Sequence, residues 1–119
     1  MNEKMYFDRY LSHIDPAQGS ISFTVGDHNL FQETVTPLTI DRYVIDDTEF
    51  LLQREPNMTL VFQHISSQYG TRISRLDMNK VPKSSEHLIV LTWSPEEIRI
   101  YMGVERFGPP VQGDYVKVT

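Results

Sequence analysis

Turn-forming residues punctuate this chain so closely that the runs between them have room for strands but not for long helices. Asp46-Asp47, Glu55-Pro56-Asn57, Ser66 to Gly70 and Ser94-Pro95-Glu96-Glu97 each mark a reversal, and Val81 to Glu86 reads as loop. The segments between them alternate or are β-branched, so the expected fold is all-β. Ser20 to Val25 places Ile21, Phe23 and Val25 on one face and Ser20, Ser22 and Thr24 on the other, the period of a half-buried strand. Leu38 to Ile45, set between Pro37 and Asp46, reads as a second strand, and Phe50 to Arg54 as a short third. Met58 to Ile65 is partly apolar on both faces and is expected at the centre of a sheet. Thr71 to Met78 returns as its hairpin partner.

His87 to Trp93 (HLIVLTW) is the strongest strand, because it is unbroken and rich in β-formers, and Ile98 to Met102 comes back across a reversal in which Pro95 fixes φ. Gly108 to Gly113 contains two consecutive prolines, which cannot donate to a ladder, and is expected to be loop. Asp114 to Thr119 reads as a terminal strand that pairs with the first half of the chain. Glu3 to His13 is the only helix candidate, although Met5, Tyr6, Phe7, Tyr10, Leu11 and Ile14 make no tidy helical stripe and a strand fits them equally.

A chain of 119 residues is long enough to bury a core without staples, and it is expected to form one domain throughout. Its zero cysteines remove disulfides, thiolate metal sites and cysteine nucleophiles. Sixteen acidic residues against 11 basic ones, with no dense Lys/Arg cluster, argue against nucleic acid or an anionic membrane as partner. The N-terminus, with Glu3, Lys4, Asp8 and Arg9 among its apolar residues, resembles neither a signal peptide nor a transit peptide. No apolar run reaches the roughly 18 residues of a membrane span. The expectation is a cytoplasmic protein, or a domain taken from a longer one.

The hairpin His87 to Gly103 resembles a feature of the concanavalin A-like lectin/glucanase superfamily, particularly its laminin-G-like and pentraxin-like members. Those domains carry a strand of the form His-x-Val-x-Leu-Thr-Trp, a short polar turn, and a return strand ending in Tyr-Val-Asp-Gly. The matching positions are His87, Ile89, Leu91, Thr92 and Trp93, then Ile98, Arg99, Ile100, Tyr101 and Gly103. Gly19-Ser20-Ile21-Ser22-Phe23 is similar to the family's opening strand, and Met58 to Leu76 to the hairpin between. The resemblance implies an antiparallel, jelly-roll-like β-sandwich, here with about eight to ten short strands, and it places Trp93 inward. Two departures stand out: Met102 replaces the usual Val or Ile, with Gly103 following directly, and the chain is short for the family. The shortness implies a trimmed sandwich, a fragment, or pairing with a second chain.

Catalytic and metal motifs are missing from the sequence. The glucanase branch needs two carboxyl groups about 5 Å apart on one strand face, and nothing here matches that strand. Asp46, Asp47 and Glu49, like Glu96 and Glu97, read as solvated turn carboxylates, and two adjacent aspartates do not make the oxygen cage of a calcium site. His13, His28, His64 and His87 show no metal-ligand spacing. No nucleophile elbow, P-loop or dinucleotide fingerprint occurs, and Asn57-Met58-Thr59 is a glycosylation pattern that is expected to be a chance match, since no signal peptide is expected from the N-terminal residues. The expectation is therefore a module without catalysis, cofactor or metal that recognises carbohydrate or protein through one sheet face and the loops beside it. Its candidate ligand-binding residues are Thr92, Arg99 and Tyr101, on the hairpin face that also carries Leu88 and Val90, together with Tyr69 and Arg72. The alternative is an assembly domain that self-associates, as a homodimer or larger homo-oligomer, through that face or an edge strand.

Overall fold

The computed structural model describes residues 7, 15–26, 35–104 and 108–118. Nine antiparallel strands lie among them: β1 Gly19–Val25, β2 Leu38–Ile45, β3 Thr48–Glu55, β4 Thr59–Ser66, β5 Gly70–Asp77, β6 His87–Trp93, β7 Ile98–Gly103, β8 Val111–Gln112 and β9 Val116–Lys117. They form two sheets, one ordered β1-β6-β7-β8 and the other β2-β3-β4-β5-β9. The chain is a β-sandwich, and the expected all-β antiparallel class is what the structure shows.

Strands β2 to β5 follow one another as a meander, each eight residues long. Two-residue and three-residue turns join them, at Asp46-Asp47 and at Ser67-Gln68-Tyr69, where Asp46 (φ 54°) and Gly70 (φ 74°) adopt the left-handed conformation such tight hairpins require. In a meander every second turn lies at the same end. The β2–β3 and β4–β5 turns are therefore neighbours, a point on which the candidate site depends.

The core fills the space between the sheets. From the four-stranded sheet come Ile21 and Phe23, Ile89, Leu91 and Trp93, and Ile98, Ile100 and Met102; Phe50, Leu52, Leu60, Phe62 and Leu76 face them. Burial of this apolar surface is the main stabilising term, at roughly 25 cal/mol per Å². Phe50 is the hub: its ring meets Trp93 edge-on at 5.0 Å and His64 edge-on at 5.1 Å, and Phe7 closes over it at 6.3 Å. The inward place read for Trp93 and the central place read for Met58 to Ile65 both hold, the latter as β4, third of five strands.

One chain segment stitches the sheets together. β8 pairs with β7, β9 pairs with β5, and the residues between them cross from one sheet to the other. At the crossing, the buried Ser74 hydroxyl accepts from Ile100 N at 3.1 Å and donates to the carbonyl oxygen of Asp114 at 2.5 Å. Gly113 N donates to Ile100 O at 2.7 Å and Asp114 N to Arg75 O at 2.9 Å.

Four expectations need correction. The third strand is longer than Phe50 to Arg54, because Thr48 pairs with Ile45 across a two-residue turn, so Glu49 lies in a strand and not in a turn. Gly108 to Gly113 is not all loop: the two prolines precede the ladder, and Val111 and Gln112 pair with Met102 and Tyr101. The terminal strand is two residues long, and it pairs with Ile73 and Arg72 rather than with the first half of the chain. Met58 belongs to the turn before β4, with φ 57°. The helix candidate Glu3 to His13 lies outside the described residues apart from the buried Phe7. No helix among the described residues is long and apolar enough to cross a membrane.

Candidate functional site

Four turns converge at the end of the sandwich where β1, β3, β5 and β7 begin. They are the Asp15 to Gln18 turn, Asp46-Asp47, Ser67 to Tyr69, and the reversal after Trp93. Between the first three lies a small polar cleft of about 80 Å³. Pro16 and Ala17 form one lip, Asp47 and Thr48 a second, and Ser66, Gln68 and Tyr69 a third, while the buried His64 forms the floor.

Each wall is fixed by a specific bond. Two ring N–H groups hold the first lip by successive carbonyls: Trp93 Nε1 donates to Asp15 O at 3.0 Å, and His64 Nε2 lies 2.8 Å from Pro16 O and donates to it. Asp15 also caps its own turn by accepting from Ala17 N at 2.8 Å. The second and third lips are tied directly, since the Ser67 hydroxyl donates to Asp47 Oδ2. Thr48 Oγ1 donates to Asp47 Oδ1 at 3.2 Å, and Tyr69 N to Ser66 Oγ at 3.0 Å. The Ser67 bond, with Thr48 in support, holds the Asp47 carboxyl below its ordinary value of 3.8, so it is ionised at neutral pH.

Behind the floor lies the feature with the highest energetic stakes. Arg72 is buried, and its guanidinium donates through Nη1 to Ser94 O at 2.6 Å and through Nη2 to His64 Nδ1 at 3.1 Å. It sits 4.6 Å from the centre of the Tyr69 ring, a cation–π distance. None of these partners is a carboxylate, and Arg72 Nε is buried without a hydrogen bond. A buried cation of this kind is retained only at several kcal/mol of desolvation cost. It also fixes the imidazole tautomer: Nδ1 must accept from Arg72, so the proton is on Nε2, facing Pro16. Burial, together with the Arg72 charge, lowers the His64 pKa below 6.5 despite the Pro16 bond, so the ring is neutral at physiological pH.

The five residues singled out from the sequence fall into two groups. Tyr69 and Arg72 come together here, Tyr69 lining the cleft and Arg72 behind it. Thr92, Arg99 and Tyr101 lie on the outer face of the four-stranded sheet, with Leu88 and Val90, in cross-strand rows Ser20-Thr92-Arg99 and Ser22-Val90-Tyr101-Gln112. There Arg99 is committed within the chain, forked onto Glu97 at 3.2 and 3.3 Å and bonded to Gly113 O at 2.8 Å. Sequence reasoning passed over Asp47, His64, Ser66 and Gln68. The signal that finds them is the equal strand length of the meander, which places two polar turns side by side.

Among the described residues no three His, Asp or Glu side chains gather as a metal site. Of the described residues lining the cleft, Asp47 is the only carboxylate. Comparison with family models, with curated proteins and with solved structures found no match.

Proposed function

We propose that this domain is a non-catalytic recognition module that takes the hydroxyl-bearing edge of a carbohydrate in the four-turn cleft. The observation that carries the reading is the pairing of an ionised acceptor with an aromatic platform: Asp47 on one lip and Tyr69 on the other. Sugar hydroxyls donate strongly to a carboxylate, with charge-assisted bonds about twice the strength of neutral ones. The Tyr69 ring carries a guanidinium on one side and lines the cleft, and in this reading it is the surface on which the apolar face of a sugar ring stacks. Gln68, Ser66 and Thr48 add short polar side chains of both hydrogen-bonding senses. The volume limits what enters: about 80 Å³ against the roughly 300 to 1,000 Å³ of pockets that engulf a ligand. One edge of one residue is held, and the rest of the ligand lies outside.

A glycoside-hydrolase reading needs a second carboxyl group opposite the first, and the described lining offers Asp47 alone. The concanavalin A-like resemblance belongs to this proposal too, supported by the sandwich and by the inward Trp93. Titration calorimetry with the methyl glycosides of glucose, galactose and mannose tests it. Tyr69→Ala and Asp47→Asn are each expected to weaken binding at least tenfold, about 1.4 kcal/mol, while Tyr101→Ala leaves it unchanged. Equal affinity in all four proteins, or no binding to any glycoside, ends the proposal.

A second reading, self-association, is favoured by one observation: Leu88, Val90 and Tyr101 form a partly exposed apolar patch on the outer face of the four-stranded sheet. It is taken up at the scale of the whole molecule below.

A further inference from the structure

We propose that the buried His64–Arg72 pair is an acid-operated latch on the cleft, releasing the Pro16–Ala17 lip when His64 takes up a proton. The inference rests on the cleft being the binding site. Its basis is geometric: both imidazole nitrogens are in use, one donating to the lip and the other accepting from a guanidinium. A proton from solvent can add only at Nδ1. There it replaces an N–H···N bond with two N–H groups face to face and sets two cations together where burial leaves little water to screen them.

The groups around His64 decide the direction. From β5 comes the Arg72 cation, and from β3 the uncharged ring of Phe50 at 5.1 Å. The β4–β5 turn brings the phenol ring of Tyr69, and the Asp15 to Gln18 turn brings the Pro16 carbonyl. Asp47 is the one carboxylate among the described residues of the cleft; it is exposed, and solvent weakens its opposing pull. The protonated ring therefore withdraws from Arg72, and in doing so it carries Nε2 away from Pro16. Of its two ring anchors, the lip keeps only Trp93 on Asp15. The sign follows from linkage. The unfolded chain protonates His64 near 6.5 and the folded chain below that, so the contribution is complete above 6.5 and is lost as the pH falls towards the folded value.

The experiment is a pH titration of the uniformly labelled chain by NMR, following the His64 ring and the amides of Ala17, Gln68 and Tyr69. The expected result is a ring midpoint below 6.5, with the Ala17 amide shifting at that same midpoint. Arg72→Met is expected to raise the midpoint, and should that variant fail to fold, the wild-type titration decides alone. A midpoint at or above 6.5, or an Ala17 amide unmoved while His64 titrates, overturns the latch. In the binding arm, affinity for methyl glycosides falls at least about fivefold between roughly pH 7.5 and pH 5, the low end of ordinary coupling between sites; constant affinity overturns the regulatory role. If no glycoside binds at any pH, the carbohydrate reading fails, and the Ala17 titration still decides the latch.

Discussion

Gly113 is a position where one hydrogen atom matters. A β-carbon placed on it would stand 2.7 Å from Ser74 Oγ, 2.8 Å from Ile100 Cγ2 and 3.0 Å from Arg75 O. Two of these are side-chain atoms held in the core and the third is backbone, so none yields cheaply. Gly113→Ala is expected to destabilise the chain by about 1–3 kcal/mol, the usual cost of overpacking, read as a lower midpoint in urea by circular dichroism. Gly108, at φ 92°, is the contrast: no atom lies within 4 Å of its would-be β-carbon, and only its backbone angle opposes a side chain. Nothing in the sequence separates these two glycines, since both border the same proline-containing stretch. The difference arises from a contact between residues about 40 apart, Ser74 with Asp114.

At the scale of elements, the strand that crosses between sheets is held by few bonds, and so each one counts. β8 and β9 have two residues each, against eight in each strand of the meander. Ser74 on β5 bonds at once to β7 and to the crossing segment. Ser74→Ala removes the partner of the Asp114 carbonyl and leaves the buried Ile100 N–H unsatisfied, which for a buried group costs about 1–3 kcal/mol. The expected readout is faster amide exchange at Asp114 and Val118, whose bonds to Arg75 O and Thr71 O depend on that docking, with exchange in β3 little changed. The edge at β2 is differently managed. Its register slips between Thr39 and Asp41, and the buried Asp41 carboxylate accepts from Phe7 N at 2.8 Å. A bulge and an inward charge both discourage pairing with a foreign strand. Most strands were legible because their alternation is local; β8 was not, and β9 was read only as part of a longer strand with another partner, because two-residue ladders leave no periodicity to read.

At the scale of the molecule, the two candidate surfaces are far from equivalent. The outer face of the four-stranded sheet was found from sequence because period-two alternation assigns faces directly: Leu88, Val90 and Thr92 outward, Ile89, Leu91 and Trp93 inward. If copies of the chain associate there, sedimentation equilibrium gives a dimer that Tyr101→Arg dissociates, whereas a strict monomer at high concentration removes the second reading. The cleft was only half legible. Tyr69 and Arg72 could be named, but their meeting with Asp47 and Pro16 depends on the order of strands in a sheet, which composition does not encode. The lip-holding bond of Trp93 has one last consequence. The chain has a single tryptophan, and its indole N–H is bonded to the Asp15 carbonyl beside the cleft. The molecule thus contains its own optical probe, a lone buried fluorophore whose emission colour and lifetime register any lifting of that turn, with no label attached.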